Sequence, residues 1–420
     1  MKSFAEDNST KTLYRSPAPA RLLMLSLLSL TILLWPGLLG RLIPLDWQIG
    51  NVRPAVYGIQ GILAAAIIVS WLSRNKINAF YSKAFPSRRT LVFALGCCCL
   101  SFLLGLGIAE FVCRLLDFPF KHTWTPSENA LAQFDPELGW AYVPNRSVVQ
   151  TFGSDPRKIA MHFSSIGSRV GSPAKKFDDA APTMIFVGDS FTMGHGLNYD
   201  ETIGGIYESI AHFPLQVVNL GVQGYGTDQA LLLLKRYFRT FKTKVVVYSF
   251  ICDHLKRNAN YDRRHIDPQA RFLGTKPLFA LRGDRTLYLK KMPRRYEDLD
   301  YSPRLWGAVQ VGMTNYGPPP TPDLTRALVQ EMRGYVSSQG AAFILLDWKW
   351  KIGRGCNNDD YFRGINLNVV DAADKAPSGW RAWTVPGDKN HPDFRANRYV
   401  AGRLLDELKR LALLPDSLRM

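Results

Sequence analysis

Apolar and polar positions are distributed in two different ways along this chain. Three long apolar runs crowd its first part: Leu22 to Leu39, Val56 to Leu72, and Leu91 to Ala109. Each is about the length a helix needs to cross roughly 30 Å of hydrocarbon. A cleaved signal peptide has a shorter apolar core ending at small residues, and two more long runs would not follow it. The pattern predicts a membrane anchor over residues 1–116, with three transmembrane helices at about 22–39, 56–72 and 91–113.

Beyond residue 116 the rhythm changes. Residues 117–182 are loop-rich, with many Gly, Pro, Ser and Asn from His122 onward, and read as a β-rich prelude. Short apolar runs then alternate with helical patterns. Thr183–Val187, Leu215–Asn219, Lys244–Phe250 and Ala341–Leu346 read as buried strands, with Asn366–Val370 as one more. Helices are predicted over Thr227–Phe241 (Thr227 as N-cap), Leu324–Ser337 and Ala396–Leu414. Strands separated by helices predict an α/β domain with a parallel, doubly wound sheet over residues 183–420, whose function collects at the strands' carboxyl ends.

Charge sharpens this division. The 420 residues are 46% hydrophobic and 21% charged, with a formal net charge of +17. The part up to Leu116 has a net charge of +8 and the remainder +9. Lys2, Lys11, Arg15 and Arg21 on the tail, and Arg74, Lys76, Lys83, Arg88 and Arg89 in the second loop, outweigh Arg41 and Arg53 in the first. By the positive-inside rule this places the N-terminus in the cytoplasm and the C-terminal domain outside the cytoplasmic membrane, in a periplasm if the cell has one. The rest of the excess equals that of one stretch, Lys256 to Arg295, with 12 Lys/Arg against 3 Asp. It opens an insertion at about 256–320 that interrupts the strand–helix rhythm. Two strand-like runs around Gly283-Asp284 predict a hairpin there. This is either a surface for an anionic glycan or lipid headgroups, or a solvated face. No nucleic-acid partner is expected of an extracytoplasmic domain. Six cysteines, three of them adjacent at Cys97–Cys99, exclude a disulfide scaffold.

The candidate chemistry sits at predicted strand ends. The first strand runs into Gly188-Asp-Ser-Phe-Thr-Met-Gly194, where Ser190 is placed to attack a carbonyl while backbone N–H groups face the oxyanion. A serine nucleophile needs a base, and Gly387-Asp-Lys-Asn-His-Pro392 offers Asp388 and His391 three apart before the last helix. Asp262 and His265 have the same spacing, but inside the basic insertion and after no clear strand.

These residues resemble the SGNH/GDSL hydrolases, esterases and acyl-transferring enzymes with a flavodoxin-like three-layer α/β/α fold. The resemblance covers about Thr183 to the C-terminus. It implies Ser190 as nucleophile and first oxyanion donor, Asp388 as orienting carboxylate and His391 as general base. Val218-Asn-Leu-Gly-Val-Gln-Gly-Tyr-Gly-Thr-Asp-Gln229 looks like the second block, with Gly224 as second N–H donor and Gly221 as the alternative. One block departs: Cys252 stands where the family places an asparagine whose amide is the third donor. A thiol is a weak donor, so either turnover is slower, another group such as Asn258 compensates, or the oxyanion hole is differently built; a further reading is that Cys252 pairs with Cys356. Upstream, Asp135-Pro-Glu-Leu-Gly-Trp140 and Phe163-Ser-Ser-Ile-Gly-Ser-Arg169 look like segments of membrane-linked bacterial SGNH proteins, and read here as packing of the prelude against the sheet.

The resulting expectation is a membrane-anchored serine esterase or O-acyltransferase acting on acetyl or other acyl esters of a cell-surface or secreted polysaccharide. Its alternative is a degenerate SGNH domain that binds or assembles within a polysaccharide-modification complex. The expected partners are an acylated glycan or other ester, the bilayer, and a membrane acyltransferase or polysaccharide-synthesis component. No cofactor or metal is expected.

Overall fold

The computed structural model describes residues 23–25, 27–28, 53–84, 88–115, 131–152, 154–267, 273–299, 303–316, 320–350, 361–388, 390–415 and 417–418. The chain divides into two units, Met1–Val112 and Cys113–Met420.

Helices α1 (Arg53–Leu72), α2 (Arg74–Ala84) and α3 (Arg88–Leu115) come first. The second and third apolar runs are thus helical, while nearly all of the first lies outside the described residues. Among the described residues no helix is long and apolar enough to cross a membrane, so the three-span expectation finds no support there.

In the second unit the order is β1 (Ala132–Asp135), β2 (Gly139–Tyr142), β3 (Ser147–Gln150), β4 (Ile159–Phe163), β5 (Arg169–Val170), β6 (Pro182–Gly188), α4 (Ser190–Met193), α5 (Ile203–Glu208), β7 (Gln216–Gly221), α6 (Thr227–Tyr237), β8 (Lys242–Phe250) and α7 (Asp253–Ala259). There follow β9 (Leu278–Leu281), β10 (Leu287–Lys291), α8 (Arg304–Tyr316), α9 (Asp323–Ser338), β11 (Ala342–Asp347), β12 (Asn368–Asp371) and α10 (Phe394–Arg410). One eight-stranded sheet runs β12-β11-β8-β6-β7-β5-β4-β3. The five strands from β12 to β7 are parallel, and β5, β4 and β3 join antiparallel. Along the chain the parallel strands take the spatial order second, first, third, fourth, fifth, the flavodoxin-like order. Strand order reverses between β6 and β8, which puts the crevice for a site at the carboxyl end of β6.

Period-two alternation explains the layers. Ile185 and Val187 of β6 join Val218, Val246 and Leu345 in a core closed by Leu231 and Leu234 of α6 and Leu328 and Met332 of α9. Met184 and Phe186 face the other way, with Val217, Val247 and Ile344, under Ile206 of α5 and Val400 and Leu404 of α10. The predicted strands all form, within a few residues of their expected ends. Thr227 is not the N-cap it was expected to be, because Gly226 takes that place. The Thr227 hydroxyl is held instead by Tyr248 Oη at 2.7 Å and Asn258 Nδ2 at 2.9 Å.

Two expectations about the flanking parts change. The prelude does not merely pack on the sheet, since β3, β4 and β5 extend it through Arg169, which pairs with Asn219 of β7. Nor is the basic insertion simply a solvated face. Its hairpin forms as β9 and β10, but Arg257, Arg263, Arg264 and Lys276 are buried. Lys276, fully buried, donates to Asp228 and, at 2.7 Å, to the Pro277 carbonyl. Arg264 is paired with Asp262 at 2.9 Å and covers the Tyr296 ring. Among the described residues from 256 to 295, the exposed basic ones are on and beside the hairpin: Arg282, Arg285, Lys290, Lys291, Arg294 and Arg295.

A fully buried ion pair is strongly destabilising when only one partner is removed. Lys276→Met should therefore lower unfolding stability by about 3–5 kcal/mol in urea titrations. Adding Asp228→Leu should recover much of the loss, because the stranded carboxylate is gone.

Candidate active site

Strand β6 ends at Gly188, where an added Cβ would sit 2.3 Å from Thr192 Oγ1 and 3.1 Å from Ser249 Cβ. Only glycine lets the chain turn this tightly from strand into helix. Asp189 then caps α4 by accepting from the Phe191 N–H at 3.0 Å. Ser190 is the first helical residue, so its N–H has no intrahelical acceptor. The side chain is 3% exposed at the rim of the sheet.

On the opposite side of the crevice, the loop before α10 is closed by the Asp388 N–H bonding to the Val385 carbonyl at 2.9 Å and by the Val385 N–H bonding to the His391 carbonyl at 3.0 Å. Asp388 Oδ1 accepts from the Asn390 N–H at 2.8 Å. Asp388 Oδ2 lies 2.5 Å from His391 Nδ1, and His391 Nε2 lies 2.9 Å from Ser190 Oγ. With the carboxylate able only to accept, Nδ1 carries the hydrogen and Nε2 presents a lone pair to the Ser190 hydroxyl. The structure thus brings Ser190, Asp388 and His391, 201 residues apart at the extremes, into one chain of hydrogen bonds.

Electrostatics favour the ionised carboxylate. Burial pushes the Asp388 carboxyl up, but the hydrogen bond and charge of His391, with the Asn390 N–H, bring it down to about 2. Asp189, fully buried, is pushed up by burial and pulled further down by Arg257 and His254, ending well below the usual carboxylate range. Arg257 Nη1 reaches Asp189 Oδ2 at 2.6 Å and the Tyr225 carbonyl at 2.9 Å, while His254 Nε2 stands 3.3 Å from the same Asp189 oxygen.

The residue expected to supply the second N–H donor stands in the loop after β7. Gly224 lies in a turn at φ +78°, a conformation that favours glycine. The prelude braces this turn on both sides. Trp140 Nε1 donates to the Gln223 carbonyl at 3.0 Å, the Gln223 N–H donates to Tyr142 Oη at 3.1 Å, and Tyr225 Oη donates to the Trp140 carbonyl at 2.5 Å. The Gly221 N–H, the alternative, is engaged by Asn219 Oδ1 at 3.0 Å.

Of the readings offered around the third donor, disulfide pairing of Cys252 is supported and compensation by Asn258 is not. Cys252 is disulfide-bonded, so it has no S–H to offer an oxyanion. Cys99 and Cys113 are free, and Cys356 lies outside the described residues. Asn258 does not compensate, because its amide is spent on Thr227 Oγ1 and Thr325 Oγ1 and its oxygen on the Thr227 N–H. The Asp262–His265 pair takes no part in the relay: Asp262 accepts from Arg264 and Tyr296 in the buried base of the insertion.

Sequence reading missed His195. It follows Ser190 by five residues, between Gly194 and Gly196. Its ring stacks on His391 with centroids 4.1 Å apart, and its Nε2 is 3.5 Å from Asp388 Oδ2. His195, Asp388 and His391 offer three metal-ligand atoms within 4.8 Å of one another, but Asp388 Oδ2 and His391 Nδ1 are already committed to each other. A histidine between two glycines in the turn after the nucleophile was the available signal.

No family model matches the chain, and no curated protein matches it. Among solved structures it is similar to a member of the lipolytic protein G-D-S-L family from Veillonella parvula DSM 2008, at 13% identity over 55% of this chain and 100% of that one, with a TM-score of 0.29. TesA is similar at 14% identity, 55% and 99% coverage, and a TM-score of 0.31. A carbohydrate acetylesterase family member from Sinorhizobium meliloti is similar at 12% identity, 56% and 100% coverage, and a TM-score of 0.32. At these scores the likeness carries no argument about function, which rests on the site itself.

A carboxylate lowered by folding contributes stability above its unfolded pKa, and that stability is lost as pH falls through the folded value. For Asp388 the window runs from about pH 4 down to about 2. Thermal unfolding midpoints should drop across it, and Asp388→Asn should reduce the drop, leaving the part due to Asp189. The disulfide state of Cys252 has a separate check: in denatured, unreduced protein it should resist iodoacetamide, and in denatured, reduced protein it should be alkylated.

Proposed function

We propose that the chain is an SGNH-type serine esterase or O-acyltransferase. The observation that carries this reading is the relay from Asp388 Oδ2 through His391 to Ser190 Oγ, at 2.5 and 2.9 Å, at the tight turn that ends β6. Ser190 is the nucleophile, His391 the base and Asp388 the orienting carboxylate. As Ser190 Oγ bonds to the ester carbon, its proton passes to His391 Nε2 and the carbonyl electron pair moves onto oxygen. That oxyanion is received by the N–H groups of Ser190 and Gly224. His391 returns the proton to the leaving alkoxide as the ester bond breaks, and an acyl-Ser190 remains. Water or a sugar hydroxyl, deprotonated by the same imidazole, then takes the acyl group and restores Ser190.

An oxyanion hole with two backbone donors is slower rather than inert, since one missing donor typically lowers turnover about a hundredfold to a thousandfold. For this reason the assembled relay favours an enzyme over the binding or assembly role. An extracytoplasmic location is supported by the charge asymmetry of the loops and by the Cys252 disulfide, which persists in oxidising compartments. A membrane tether through the N-terminal unit is supported by its apolar runs and by the exposure of Ile62, Ile68, Leu103 and Ile108. As substrate we propose an acyl ester on an anionic polysaccharide. Support comes from the exposed cations of the β9–β10 hairpin and its neighbours, several of them laid over aromatic rings: Arg282 over Tyr288, Lys291 over Tyr261, and Arg295 over Phe134.

A fluorophosphonate probe should label Ser190, and a small acetyl ester should be turned over. Ser190→Ala should abolish labelling, and Asp388→Asn should lower turnover by about ten-thousandfold. A folded protein that neither labels nor turns over the ester overturns the reading. For the glycan, replacing Arg282, Lys290 and Lys291 with glutamine should raise KM on an acetylated anionic polymer and flatten its salt dependence. An unchanged salt response would remove the hairpin from substrate binding.

A further inference from the structure

His195 has no part in the proton relay, yet it touches both members of the acid–base pair. Its ring lies over His391 at 4.1 Å, tilted by 29°, and its Nε2 faces Asp388 Oδ2 at 3.5 Å. Nitrogens of both imidazoles therefore approach the same carboxylate oxygen. Only the tautomer with hydrogen on Nε2 is compatible with this, since a lone pair there would face a carboxylate. The other nitrogen, Nδ1, is buried without a hydrogen-bond partner. A protonated His195 would bury an unpaired N–H there, which is more costly than burying a bare lone pair. The surroundings push the same way. Burial, the neighbouring His391 and the Arg169 guanidinium lower its pKa to about 3, against the opposing pull of Asp388. The charged and titratable groups facing His195 are thus Asp388, His391 and Arg169, and Phe152 meets its ring edge-on at 4.5 Å.

The turn that carries His195 is held by the prelude. Arg169, 1% exposed, donates from Nη1 to the carbonyls of Met193 at 2.9 Å and Gly194 at 2.6 Å, and from Nη2 to that of Leu197. It grips the backbone on both sides of His195. On the other side, Gly196 sits against Val385 of the Asp388 loop, where an added Cβ would be 2.6 Å from Val385 Cγ1. The Phe163–Arg169 segment, which sequence reading took for packing, is the clamp of an active-site residue.

We infer that His195 is a positioning residue, clamped by Arg169 and Phe152, that holds the Asp388 carboxylate from one side and stacks on His391 so that Nε2 of His391 stays aimed at Ser190. This rests on the relay reading given above. Its Nε2 edge, 3.5 Å from Asp388 Oδ2, also offsets some of the negative charge felt by His391. Loss of His195 therefore leaves more of the carboxylate's charge acting on His391 and lets its ring swing away.

The test compares His195→Phe, which keeps a ring but no donor, with His195→Asn, which keeps a short donor. In His195→Phe, kcat on a small acetyl ester should fall about tenfold to a hundredfold, the range expected when a catalytic group is misplaced by about an ångström. KM should stay unchanged, and the acid limb of the kcat/KM profile should move to higher pH. His195→Asn should restore part of kcat and the position of the acid limb, which a purely packing role would not produce. A His195→Phe enzyme with wild-type kcat and pH profile overturns the inference while leaving the esterase reading intact. If the wild-type protein has no ester turnover, the esterase reading fails separately. The inference is then judged on the downfield proton resonance of His391 Nδ1–H in Ser190→Ala protein. That resonance should shift or broaden when His195→Phe is added, and an unmoved resonance overturns it. Thermal melts of both variants establish that the fold is retained, and His195→Asn serves as the reporter if His195→Phe does not fold.

Discussion

A carboxylate with no access to water sits directly beneath the nucleophile. Asp189 is fully buried, and burying an isolated charge is prohibitive unless it is paired and hydrogen-bonded. Arg257 supplies the countercharge from α7, and the same Nη1 reaches the carbonyl of Tyr225. One guanidinium thereby ties together the end of β6, the turn that holds Gly224, and the helix after β8. Ser190 and the Gly224 turn keep their spacing because the ion pair cannot relax without stranding a charge. Buried pairs of this kind add little net stability against an apolar replacement, but breaking one partner is severe. The arrangement therefore enforces geometry more than it adds stability.

Around that pair the molecule is built from two additions to an α/β core, and each reaches the site by a different route. The prelude extends the sheet through β3–β5 and contributes Trp140, Tyr142, Phe152 and Arg169 to the turns on either side of Ser190. The insertion contributes its root: Arg257 beneath the nucleophile and Lys276 against Asp228 at the start of α6. Its outer hairpin keeps the exposed cations. A stretch with a net charge of +9 is thus divided by burial into structural countercharges and a surface. Burial, rather than composition, decides which lysines and arginines are available to a ligand.

Much of the architecture was legible because the physics that builds it is local. Runs such as Val245-Val-Val-Tyr248 have the period and branching of a strand buried on both faces. The Gly-Asp-Ser turn, the Gly-Tyr-Gly turn and the Asp-x-x-His loop are short motifs whose geometry is set within a few residues. The readings that failed concerned contacts made across the chain. Asn258 was free to be a donor until the fold placed Thr227 and Thr325 beside it. Phe163–Arg169 read as packing because a lone arginine in a loop carries no sign of the three carbonyls it will bind.

The sequence by itself determined the alternation of strands and helices, the apolar character of the N-terminal unit, and the identities of Ser190, Asp388 and His391, because each depends on residue type and near spacing. The tertiary structure alone decided which of the many polar groups face one another. It set His195 on His391, Arg257 under Asp189, and the prelude around the Gly224 turn. The physical reason is that a hydrogen bond or ion pair in a dry interior depends on position to within an ångström. Positions separated by tens to hundreds of residues acquire that precision only when the sheet and its two covering layers close.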